Sequence, residues 1–270
     1  MPANPFDLSG HRGLVTGGTQ GVGAAIAIAM AQAGADLLLL GLKNDDAAAD
    51  TLARCRDHGV TAELITADLS QPPDHYIDRL ISEADQAMPN IDLLVNNAGT
   101  YIDKPFFEMD FQRYLTTIHL NVTAGYFLTQ KLASRWVDQA INGRILFTGS
   151  INGQLAEPDH TAYDTSKGAV AAMVRSLCVT LAPHNIRVNA MAPGLVRTPL
   201  TDVLNQDPRL DSWMKLHTPN GKVPDPDVCG GTAVFLLSDA AEHVHGQTLL
   251  VDGGMSVWQQ PDVPANWNAP

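Results

Sequence analysis

The chain has 270 residues, a formal net charge of −12, 45% hydrophobic and 17% charged residues. This length accommodates one substantial α/β core and does not require a second domain, so residues 1–270 are expected to form a single unit. The acidic balance leaves no basic stripe to hold phosphates, which argues against nucleic acid or an anionic membrane as a partner.

Taken in chain order, His11–Thr16 reads as a short buried strand, followed by the turn Gly17-Gly18-Thr19-Gln20-Gly21-Val22-Gly23. A helical run, Ala24–Ala33, is stopped by Gly34, and a second apolar strand follows at Leu37–Leu40. Strand, glycine turn and helix in this order suit a dinucleotide-binding βαβ unit. Glycines let the backbone turn sharply and approach a pyrophosphate, and a helix N-terminus offers unpaired N–H groups and partial positive charge.

Ala47–His58 reads as a helix with Leu52 and Cys55 on its apolar side, and Ala62–Ala67 as a strand ending in Asp68-Leu69. His75–Met88 carries Ile77, Leu80, Ile81 and Ala84 at helical spacing; Ile91–Val95 is a strand ending in Asn96-Asn97-Ala98-Gly99. Phe111–Trp136 is expected to be one long helix with Leu115, Ile118, Val122, Tyr126 and Thr129 as its apolar stripe. Arg144–Thr148 is a strand leading to Ser150, and Ala162–Leu181 a helix with Val170, Met173, Val174, Leu177 and Leu181 on one face. Ile186–Met191 and Thr248–Val251 read as strands around a helix at Val228–Leu237. Leu195–Pro226, rich in Pro, Asp and Asn, looks like an excursion from the core, and the tail from about residue 255 is expected to be extended.

Strands separated by helices imply parallel pairing and right-handed crossovers. The expected fold is therefore an α/β, Rossmann-like, doubly wound parallel sheet of about seven strands with helices on both faces. Cys55, Cys178 and Cys229 are odd in number and widely spaced, as in a protein of the reducing cytoplasm. No run approaches a membrane span of about 18 apolar residues. The N-terminal MPANPFDLSG lacks the basic and apolar regions of a signal peptide. No metal site is expected.

Tyr163 and Lys167 stand four residues apart, which on a helix places both on one face. A neighbouring ammonium favours the phenolate and lowers a tyrosine pKa that is ordinarily about 10. With Ser150 reaching the same reacting oxygen from another element, these are the parts of a general acid/base aimed at a carbonyl or alcohol.

Thr16-Gly17-x3-Gly21-x-Gly23, Asn96-Asn97-Ala98-Gly99, Asn121, Ser150, Tyr163-x3-Lys167 and Pro193-Gly194 occur in an order that resembles the short-chain dehydrogenases/reductases, from about Leu8 to Gly254. The resemblance implies that Tyr163 moves the proton, Ser150 orients the substrate oxygen, and Lys167 lowers the Tyr163 pKa and holds the nicotinamide ribose. It implies that Asn121 holds a water linking Lys167 to solvent. Gly17, Gly21 and Val22 would line the pyrophosphate, with Thr19 and Gln20 further cofactor contacts, Asp68 and Leu69 would meet the adenine, and Asn97 and Gly99 would flank the adenosine ribose side. Val196 and Thr198 would hold the carboxamide, with Thr198 also a candidate helix cap before Pro199.

NAD enzymes usually place an acid at the end of the second strand to hold the ribose diol. Here Gly41 and Leu42 stand there, Asp45 and Asp46 come later, and Lys43 is placed to reach a 2′-phosphate. The cofactor reading is NADP or NAD, with NADP favoured. Asn152, Gln154 and His160 lie between Ser150 and Tyr163, where substrate hydroxyls would be met. Polar lining favours a hydroxylated substrate, because unpaired polar groups disfavour an apolar one. The expected function is an NAD(P)-dependent interconversion of alcohol and carbonyl on a sugar, sugar acid or polyol. The alternatives are a 3-oxoacyl thioester reductase and, in another class, a non-catalytic nucleotide-binding regulator. Phe127, Leu128, Ala169 and Ala172 lie beyond a single apolar stripe, and the resemblance makes them faces of a homodimer or homotetramer.

Overall fold

A computed structural model describes residues 4–201 and 208–258. Among these, β1 (Arg12–Thr16), β2 (Asp36–Gly41), β3 (Ala62–Thr66), β4 (Leu93–Asn96), β5 (Arg144–Thr148), β6 (Arg187–Pro193) and β7 (Thr248–Val251) form one sheet. Its order is β3-β2-β1-β4-β5-β6-β7, and every pairing is parallel. Parallel strands need a crossover, and helices supply it: α1 (Gly21–Gln32), α2 (Asp46–Arg56), α3 (Ile77–Ala87), α4 (Phe111–Ile118), α5 (Ala124–Gln139), α6 (Thr161–Leu181), α7 (Pro208–His217) and α8 (Gly230–Leu237).

Burial on both faces explains the unbroken apolar strands. Alternate residues serve different cores. Leu14, Leu38, Leu40 and Leu94 pack with α3, α5 and α6, whereas Val15, Leu37, Leu39 and Leu93 pack with α1, α2 and α8. The strand order reverses at β1, between β2 and β4, and the crevice at the carboxyl ends there is the usual ligand position of such sheets.

The long helix expected over 111–136 is interrupted. A π-helical turn, His119–Thr123, separates α4 from α5. Each extra residue rotates the following helix by about 100°. The buried positions are accordingly Thr117, Asn121, Ala124, Leu128, Thr129, Leu132, Ala133 and Trp136; of the expected stripe Thr129 is buried, while Tyr126 is exposed. Leu128 is fully buried, so it belongs to this chain's own core and is not part of an assembly face; Ala172 is exposed and Phe127 and Ala169 partly so.

The excursion after residue 195 includes a helix, α7, and packs down through Met214, Thr218 and Val223, all buried. Asp202, Leu204, Asn205, Gln206 and Asp207 lie outside the described residues, as does the tail from residue 259. Before that tail the chain makes a 3-10 turn, Met255–Val257, where extended chain was expected. Among the described residues no helix is long and apolar enough to cross a membrane, and no group of three or more His, Cys, Asp or Glu is placed to hold a metal.

Candidate active site

The glycine turn carries β1 into α1. Gly17 and Gly21 have φ of +61° and +55°, a region that disfavours side chains. A Cβ at Gly23 would stand 2.0 Å from the Gly17 carbonyl oxygen, so only glycine lets the turn close. Gln20 occupies the N-cap without a side-chain hydrogen bond, and no acid lies in the first turn of this 12-residue helix. Its N-terminal donors and partial positive charge are thus left for an anion, the property a pyrophosphate needs.

Thr198 stands over this turn, with its Cβ 3.5 Å from where a Gly21 side chain would begin. Val196 is buried beside it in the chain. The expected cap at Thr198 is reversed: Thr201 in the 3-10 turn Pro199–Thr201 accepts the Thr198 N–H at 2.9 Å. The short turn brings Thr201 back onto the residue that precedes it, which leaves Thr198 facing the glycines.

Asn97 ties three strand ends together. Its amide donates to the Thr16 and Gly17 carbonyls at 3.1 and 3.2 Å, and its oxygen accepts from Thr148 at 3.1 Å. Thr16 also accepts from the Asn97 and Ala98 N–H groups. The Asn97 side chain is therefore occupied in fixing the crevice, and Gly99 packs against Asn121, whose Oδ1 would lie 3.3 Å from an added Cβ.

Asp68 is spent on its own turn, accepting from Ser70 and Gln71, and these bonds hold its carboxyl below the ordinary range; Leu69 beside it is buried. At the end of β2, a Cβ on Gly41 would stand 2.7 Å from the Thr19 methyl, so a side chain there would require Thr19 to move. Asp45 caps α2 through the Ala48 N–H, whereas Leu42 and Lys43 are exposed. No carboxylate is presented in the position that would hold a ribose diol.

Ser150, Tyr163 and Lys167 meet at the end of β5. Ser150 begins the 3-10 turn Ile151–Gly153 in extended conformation and accepts the Asn152 N–H at 3.1 Å. Tyr163 lies in the first turn of α6 and is half-buried. Burial pushes its phenol up, a hydrogen bond from Ser150 pulls it back, and Asp164 and Glu157 push it up further. Lys167 is buried, which lowers its pKa to about 8. Its Nζ donates to the Thr148 carbonyl at 3.0 Å and lies over the Tyr163 ring, 5.5 Å from its centre.

Asn121 occupies the π turn, an irregularity common at functional positions. Its amide donates to the Thr100 carbonyl and Ser166 Oγ, both at 2.9 Å, and its oxygen accepts from Thr100 N–H at 2.7 Å. That side chain is committed to joining the β4 loop to α6.

Of the three expected substrate contacts, Asn152 is buried and donates to Glu157 and Asp164 at 3.0 and 2.8 Å. Gln154 is exposed at the end of the 3-10 turn. His160 faces Tyr101 and Glu157. Tyr101, Glu157 and Asp164 carry no sequence signal of their own. Only the return of the β4 loop to the start of α6 reveals them.

The family model described as Enoyl-(Acyl carrier protein) reductase matches residues 17–256. The 5-keto-D-gluconate 5-reductase of Escherichia coli strain K12 is 34% identical over 252 residues, 93% of this chain and 98% of that protein. The glucose 1-dehydrogenase of Gluconobacter oxydans is 32% identical over 270 residues, 100% of both chains. The crystal structure of a gluconate 5-dehydrogenase from Burkholderia cenocepacia, in complex with NADP and tartrate, is similar with a TM-score of 0.87, 31% identity, and coverage of 94% of this chain and 98% of that one. This chain belongs to the short-chain dehydrogenase/reductase family. Its Rossmann-like fold and its oxidoreductase class stand with that membership.

Proposed function

We propose that this chain interconverts an alcohol and a carbonyl on a sugar, sugar acid or polyol, using NADP in preference to NAD. The observation that carries the reading is the convergence of Ser150, Tyr163 and Lys167 on one strand end, beside an α1 N-terminus left open for a pyrophosphate. The similar proteins named above act on sugars or sugar acids, which supports the substrate class.

The crevice fits a dinucleotide. Gly17, Gly21 and Val22 would hold the pyrophosphate, Leu69 the adenine side, and Val196 and Thr198 the carboxamide. The lack of a free acid at the end of β2 and the exposure of Lys43 suit a 2′-phosphate. The bound nicotinamide supplies the hydride acceptor for alcohol oxidation and the donor for the reverse. Tyr163 then takes the proton of the substrate hydroxyl, and returns it in reduction. Ser150 hydrogen-bonds the same substrate oxygen. Lys167 favours the Tyr163 phenolate by its charge, and Thr148 fixes the Lys167 side chain.

A 3-oxoacyl thioester-reductase reading has support in the 32% identity over 248 residues to the 3-oxoacyl-[acyl-carrier-protein] reductase of Aquifex aeolicus. It is second because an acidic acyl carrier would meet a chain of net charge −12. We further assign the protein to the cytoplasm, as one folded unit assembled into a homodimer or homotetramer; light scattering behind size-exclusion chromatography checks the assembly. Reduced-nicotinamide absorbance across a panel of sugars, sugar acids and polyols with both cofactors tests the main reading. Turnover of a 3-oxoacyl thioester alone would replace it with the second, and cofactor binding without any turnover would favour a regulator.

A further inference from the structure

This inference rests on the oxidoreductase reading and narrows its substrate. Side chains from separate segments gather beside Tyr163: Tyr101 and Asp103 after β4, Glu157 and His160 before α6, and Asp164 in its first turn. The Tyr101 ring meets the Tyr163 ring edge-on, with centroids 5.4 Å apart, and meets His160 at 4.7 Å. His160 Nδ1 lies 3.0 Å from a Glu157 oxygen. A neutral imidazole with its proton on Nδ1 donates to Glu157 and leaves Nε2 to accept the Tyr101 O–H.

Asp103 lies 3.6 Å from the same Nε2. His160 is 12% exposed, but Asp103 and Glu157 are 55% and 38% exposed, so both carboxylates have surface left for a ligand. The charged groups that act on the two phenols are Asp103, Glu157 and Asp164, all anionic. Among the described residues, Lys104 pairs with Glu108 at 3.8 Å and Lys167 donates to the Thr148 carbonyl.

We propose that Asp103 and Glu157 are specificity-determining residues that select an uncharged sugar or polyol over the sugar acid of the same skeleton. Hydroxyl groups donate to carboxylate oxygens and form charge-assisted hydrogen bonds there. A substrate carboxylate offers no donor and adds like charge to a partly desolvated cluster.

The test is kcat/KM for glucose, glucitol and gluconate at two ionic strengths, for the wild type, Asp103→Lys and Glu157→Gln. Asp103 is exposed enough for its replacement to leave folding intact. The wild type should favour an uncharged substrate by about 10-fold or more at low salt, with a smaller margin at high salt. Both substitutions should raise the gluconate constant, Asp103→Lys more. Gluconate turned over as well as the uncharged substrates, or a preference that neither substitution moves, overturns the proposal and leaves the oxidoreductase reading intact. Turnover of none of the three, with NADPH binding retained in fluorescence titration, overturns that reading and the proposal with it.

Discussion

The two halves of the crevice are built by different means. On the cofactor side, backbone does most of the shaping: a turn that closes only with glycine at position 23, an uncapped helix end, and strand ends joined by Thr16, Asn97 and Thr148. On the substrate side, the surface is made of side chains brought from segments about 60 residues apart, as in the contact of Tyr101 with His160. Backbone shape can serve one invariant ligand, whereas side-chain clusters are free to vary with the substrate.

The largest effect separates those halves directly. Tyr163→Phe should lower turnover about 10³-fold while nucleotide binding stays measurable, because only the phenol oxygen is lost. Steady-state rates paired with a fluorescence titration of NADPH read both quantities. Retained activity would remove Tyr163 from proton transfer.

Gly23→Ala attacks the other half and should destroy nucleotide binding. It should also destabilise the fold by about 2–4 kcal/mol, since a methyl 2.0 Å from a backbone carbonyl forces the turn to move. Denaturant unfolding checks the stability and titration the binding. An alanine that folds and binds normally would mean the turn is looser than its geometry indicates.

How far each half was legible follows from the same contrast. The glycine turn, the apolar strands and Tyr163-x3-Lys167 are local patterns whose spacing carries its own geometry. The π turn at His119–Thr123 is invisible in hydrophobic periodicity, because one added residue shifts the phase without changing composition. Tyr101 and Glu157 were not recognisable because their meaning depends on a long-range approach that no local period encodes. Asn97 and Asp68 were recognisable as polar strand-end residues, but their hydrogen bonds within the protein were not.

Lys167 offers a smaller effect with an unusual sign. Burial takes its pKa from an ordinary 10.5 to about 8, so between those values the unfolded chain binds more protons and stability rises with pH. Below about pH 8 the burial penalty is fully present. Lys167→Met should therefore be inactive yet more stable near pH 7, by about 1–2 kcal/mol. That advantage should shrink as pH climbs from about 8 toward 10.5. Thermal melts across this range decide it. Lower stability of the methionine variant at every pH would show that the bond to the Thr148 carbonyl outweighs desolvation.

The smallest predicted effect probes how the substrate side tunes the proton-transfer group. Glu157 raises the Tyr163 pKa and Ser150 lowers it. In alcohol oxidation the phenolate is the active form, so activity should rise with pH along a limb set by the Tyr163–Lys167 pair. Glu157→Gln removes an anion that disfavours phenolate, which should move that limb to lower pH. Ser150→Ala removes a hydrogen bond that favours phenolate and should move it upward, besides slowing turnover. Profiles of kcat/KM against pH for both variants give opposite displacements if the two residues act on the phenol in this way. Displacements of the same sign would place the titrating group elsewhere than Tyr163.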